Sequence, residues 1–178
     1  MARYVIGIDP GKNGGIAVMR GGRLIVCCKM PQTPSDICGF LASYSGYEAK
    51  VWLERVGGRS GQSASASFRF GQNYGHIEMA VTAAGIPFET VTPQKWQKTY
   101  QLGTASQCAS KTEWKNKLKA CAQGLFPGVH ITLATADAVL IANYGTTKAH
   151  SRLAFQRHRR RGNRSRLGGV AEPVPLRD

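Results

Sequence analysis

At 178 residues and 42% hydrophobic, the chain is long enough for one domain with a real core, and no apolar run reaches the length of a membrane span. A formal net charge of +14 with a pI near 10.0 points to phosphate polymers as partners. The five cysteines (Cys27, Cys28, Cys38, Cys108 and Cys121) are odd in number and lack metal-ligand spacing, which predicts reduced, packed thiols in a cytosol and argues against a structural zinc site; no basic-then-apolar signal precedes the first strand.

The first apolar run, residues 3–9, predicts a buried strand that ends on Asp9 and is stopped by Pro10-Gly11. Residues 14–20 and 23–30 predict two more strands, joined by Gly-rich turns into an antiparallel meander. Ser35 to about Ser45 predicts a helix with Ile37, Phe40 and Leu41 on one face. The fourth strand, residues 49–54, again ends on an acid, Glu54, and the Gly/Ser-rich stretch from Gly57 to Ser67 is where a substrate-contacting loop would sit. A long helix is predicted from about Ala64 to Ala84, with Phe68, Tyr74, Ile77 and Val81 at helical spacing. Gly71 and Gly75 weaken it, which suggests close approach to another backbone, within the monomer or across a dimer.

Ile86 to Val91 predicts a fifth strand and Thr92-Pro93 a short helix with proline at its first position. Ser110 to Glu113 reads as a capping box, opening a helix with Trp114, Leu118 and Cys121 inward and Lys111, Lys115 and Lys119 along an exposed face. The stretch Thr135 to Tyr144 predicts a mostly buried helix with Asp137 on its first turn, and Ala134, Ala136 and Ala138 would let that helix start approach a sheet closely. His76 and His130 read as ordinary helix and loop residues.

A carboxylate at the end of a buried strand is costly unless something binds it, and a divalent cation is the usual partner. An ordinary turn cap for Asp9, a pairing of Glu54 with Arg55 or Arg59, and a helix-dipole role for Asp137 are the bland alternatives for each acid alone. Together, three of only ten acids mark the ends of the most apolar segments. Basic charge is divided: residues 1–147 hold 15 Lys+Arg against 8 Asp+Glu, and residues 148–178 hold 9 against 2, so each part carries +7. The run Arg157 to Arg166 has no apolar periodicity and reads as a disordered arm. The candidate phosphate contacts are Arg59, Arg69, Lys95, Lys98, Lys111, Lys115 and Lys119, with Arg159, Arg160 and Arg161 of the arm.

With acids ending the first and fourth strands and starting the last helix, the chain resembles the RuvC-type Holliday-junction resolvases of the ribonuclease-H-like superfamily, and looks closer to their phage-encoded branch. The resemblance rests on Gly7 to Gly11, Leu53-Glu54, Gly85 to Pro87, Val91 to Trp96, Ser110-Lys111, Leu125 to Pro127 and Ala136 to Ala138. It implies a five-stranded mixed sheet flanked by helices over residues 1–147; the basic tail over 148–178 lies outside the resemblance. It also implies nicking of branched DNA by a homodimer in a bacterial or phage-infected host cytoplasm. By that likeness Asp9, Glu54 and Asp137 are metal ligands for Mg2+ or Mn2+, two ions per site, with Lys111 near the scissile phosphate. The family's usual fourth ligand, three residues before the last, is replaced here by Ala134. Hard cations bound by carboxylates suit phosphodiester hydrolysis, where two of them serve both the attacking water and the leaving oxygen. Alternatives of other kinds are a catalytically weakened or inactive nucleic-acid-binding protein on this fold, and a ribonuclease-H-like nuclease for other nucleic acids. A sugar-kinase-like ATPase lobe would need a second lobe that 178 residues do not hold.

Overall fold

In a computed structural model, residues 3–55, 57, 61 and 63–149 are described. The strands are β1 (Tyr4–Asp9), β2 (Gly15–Arg20), β3 (Arg23–Lys29), β4 (Ala49–Glu54) and β5 (Phe88–Val91). The helices are α1 (Pro34–Ala42), α2 (Ala64–Ala83), α3 (Pro93–Gln97), α4 (Lys111–Leu125) and α5 (residues 136–149). Two 3-10 turns, Lys98–Tyr100 and Ala105–Gln107, fall between α3 and α4. The backbone divides into two units, Met1–Thr146 and Thr147–Asp178. The expected arm from residue 150 onward, with Arg159, Arg160 and Arg161, lies outside the described residues, as does Arg59.

The sheet order is β3-β2-β1-β4-β5. β1, β2 and β3 form the predicted antiparallel meander, and β4 and β5 are parallel to β1. Side chains alternate between faces along a strand. Ile6, Ile8, Val51 and Leu53 therefore enter one core with Ile37 and Leu41 of α1 and Ile77 and Val81 of α2. Val5 and Trp52 enter the other with Trp96, Trp114, Leu118 and the buried face of α5. The same parity puts Asp9, two residues after Gly7, and Glu54, two after Trp52, on the α5 side of the sheet.

Gly7 sets how near α5 comes. A Cβ built there would lie 2.3 Å from the Ala142 amide nitrogen and 2.4 Å from the Ala138 carbonyl oxygen, so the helix backbone rests directly on β1. Gly14 does the same for the turn after β1, where a Cβ would meet the Asp9 carbonyl oxygen at 2.3 Å.

Several expectations need correction. Phe68 is 71% exposed, and only Ile77, Ala80 and Val81 of α2 are buried. Gly71 and Gly75 have nothing within 4 Å of a Cβ at either, so no close approach among the described residues explains them. The capping box of α4 is offset. Ser110 Oγ accepts from the Glu113 amide at 3.1 Å, but Glu113 Oε2 accepts from the amide of Ala109 at 2.8 Å, one residue before the cap. The third buried residue of α4 is Ala122, with Cys121 only partly covered. β5 begins at Phe88 rather than Ile86.

Candidate active site

Asp9 and Glu54 end neighbouring parallel strands whose register pairs Gly7 with Trp52 and Ile8 with Leu53. Asp137 enters from the first turn of α5, where the Thr132–Thr135 hydroxyl contacts shape the chain just before the helix. The three acids lie near enough for Asp9 and then Asp137 to act on Glu54. Burial first, and Asp9 second, push the Glu54 carboxyl up to about 7, against the favourable hydrogen bond from Trp96. Glu54 and Asp137 are 6% and 5% exposed. Asp9 Oδ1 accepts from the Gly11 amide at 3.2 Å, the turn cap that composition alone offered, so this residue carries that bond in addition to facing the cluster.

Two partners of these acids were not legible in the sequence. The indole Nε1 of Trp96 donates to Glu54 Oε1 at 2.8 Å in a buried setting. The Lys115 ammonium donates to Asp137 Oδ2. Burial acts to lower the Lys115 value, but Asp137, Asp9 and Glu54 outweigh it and hold the ammonium above its usual range. Lys115, half-exposed on its helix face, is therefore also a protein-borne cation of the acid cluster.

Among the described residues no group of three or more His, Cys, Asp or Glu side chains stands ready to hold a metal ion. The donor chemistry nevertheless fits one. Asp137 Oδ1 is the one buried side-chain polar atom, among the described residues, without a hydrogen-bond partner. An orphaned carboxylate oxygen is costly, and carboxylates are what a hard cation takes. Ala134, where the family resemblance implies a fourth ligand, lines the adjoining groove and has no donor to give beyond its backbone.

Of the three acids Asp9 lines a groove of about 1200 Å³, as does Lys115, the partner of Asp137. Asp9, Lys111, Lys115 and Thr112 line one side, and Phe70, Asn73 and His76 of α2 another. Lys12 and Lys29 also line it. Lys12 lies three residues past Asp9, a position that a scan for basic residues beside the acids would have found, whereas Lys29 ends β3 with no acid of the cluster near it in sequence. His76 thus lines the groove instead of being only a helix residue, whereas His130 does not. Of the expected phosphate contacts, Lys111 is exposed at the start of α4 and lines the groove. Lys95, Lys98 and Arg69 are exposed, and Lys119 half-buried, outside its lining.

No protein-family model and no curated protein matches the chain. Solved structures do. A Thermus thermophilus RuvC structure superposes with a TM-score of 0.60 at 19% identity, covering 83% of this chain and 96% of that one. A structure of T. thermophilus RuvC in complex with Holliday junction substrate gives 0.60 at 17% identity, covering 84% and 96%. The described architecture is thus a RuvC-like fold, a mixed five-stranded sheet flanked by helices.

Proposed function

We propose that this chain is a divalent-cation-dependent endonuclease that nicks four-way junctions and related branched DNA as a homodimer. The observation that carries this reading is the acid cluster of half-buried Asp9 with buried Glu54 and Asp137, reaching a lysine-lined groove through Asp9, on a fold shared with RuvC. Asp9, Glu54 and Asp137 would hold Mg2+ or Mn2+, with two ions as the expected complement. Such a cation supplies activation of water and relief of charge on the leaving oxygen. The chain's own residues do the rest. Lys111, Lys12 and Lys29 offer ammonium groups to the backbone of a bound strand. Burial of Glu54 and Asp137 keeps water away from all but the groove side of the cluster, where fixed charge counts for more. Lys115 neutralises Asp137 until another cation or a phosphate competes for it.

Paired nicks in a two-fold junction call for two active sites, so a C2 dimer is expected. The open glycine face of α2, Gly71 and Gly75, flanked by exposed Phe68 and Met79, is the proposed contact. Sedimentation that shows a monomer at micromolar concentration, with and without DNA, would remove that part of the reading.

The test is cleavage of labelled four-way, three-way, flap and duplex DNA with magnesium or manganese. Metal-dependent nicking that favours the four-way junction supports the proposal. Tight binding with no cleavage of any substrate would instead favour a binding protein on the same fold. The Lys115–Asp137 pair and Ala134 are the features that speak for that second reading.

A further inference from the structure

We propose that Trp96 is a positioning residue for Glu54: its indole commits Oε1 and so fixes how the Glu54 carboxylate presents its other oxygen to the acid cluster. This rests on the reading of the cluster as a cation site. The indole Nε1–H can only donate, and its partner is the Oε1 of Glu54 at 2.8 Å, with Trp96 fully buried. Any backbone carbonyl would satisfy a buried indole at less cost than a buried carboxylate. The pairing therefore serves the acid. Groups that hold the ligands of a cation are part of its site and set ligand orientation.

The segment that carries Trp96 is itself anchored to the third acid's helix. The Tyr100 hydroxyl donates to the Leu140 carbonyl of α5 at 2.5 Å and accepts from Asn143 Nδ2 at 3.3 Å. The Tyr100 ring meets the Trp96 ring edge-on, with centroids 6.3 Å apart. Residues 96–100 thus grip Glu54 at one end and α5, three residues beyond Asp137, at the other. The short helix after β5 acts as a bracket that keeps two acid-bearing elements in fixed relation.

A double-mutant cycle on the full chain without DNA tests this, with manganese dissociation constants as the readout. Trp96→Phe should weaken manganese binding about tenfold, within the range seen when such supporting groups are removed. In a Glu54→Gln background the same change should have less than about a twofold effect, because the partner charge is already gone. Trp96→His, which keeps a ring N–H, should recover part of the loss. In the unmutated chain, the Trp96 indole N–H resonance should move on magnesium titration and on Glu54→Gln, which keeps the test open where Trp96→Phe folds poorly. Additive effects of the two substitutions, or an indole resonance indifferent to both changes, overturn the proposal. None of these readouts uses DNA. A chain that shows the coupling yet cuts no junction keeps the role of Trp96 and loses the nuclease reading, and a chain that cuts without the coupling does the reverse.

Discussion

Glu54 is the acid on which charge and burial press hardest. Its carboxyl moves from an ordinary 4.5 to about 7, chiefly through burial and then Asp9. The folded state therefore holds the proton more tightly than the unfolded chain, and stability from this residue is lost as pH rises between those values. At about 1.36 kcal/mol per tenfold change in proton affinity, the span corresponds to about 3 kcal/mol. Urea unfolding at about pH 5 and about pH 8 without divalent ions should show this fall, and Glu54→Gln should remove it; an equal slope in both proteins would contradict the assignment. Lys115 offers a companion test. Its half-exposed ammonium neutralises buried Asp137, so Lys115→Met should cost about 1–2 kcal/mol in the metal-free protein. Magnesium should restore more of the melting temperature in the variant than in the parent, and an unchanged melting temperature in the variant would contradict a neutralising role.

At the scale of elements, the site depends on α5 lying directly on β1. Gly7→Ala would drive a methyl into the backbone at Ala138 and Ala142. Unfolding should show a loss of about 3 kcal/mol, and a loss below about 1 kcal/mol would mean that α5 shifts freely. The strand ends were legible because alternating apolar runs are closed by acids, glycine and proline: β4 spans residues 49–54 as read from the sequence. The partners of the acids were not. Trp96 lies 42 residues from Glu54 and Lys115 lies 22 from Asp137, and no local pattern encodes such meetings. Helical periodicity also left the exposure of Phe68 unseen, since it shows which face is apolar but not what packs against it. The same limit hid the role of His76, whose place in the groove comes from the packing of α2 across from the β1–β2 turn.

Over the whole molecule, half of the excess positive charge sits in residues 148–178. The composition of that stretch supports a sequence-blind phosphate tether. α5 runs on to residue 149, so truncation belongs after Ala149. Junction and duplex binding should weaken by similar factors. The log–log salt dependence should flatten by roughly 0.9 for each phosphate that the shortened chain no longer neutralises, and an unchanged slope would contradict the tether. In the proposed nuclease the acids act on the cation and not on the DNA. Asp9→Asn separates the two, because the amide keeps the shape and loses the charge. With magnesium and a labelled four-way junction, the variant should lose cutting entirely while its junction affinity stays within a few-fold of the parent. Parallel loss of binding and cutting, or undiminished cutting, would contradict the account.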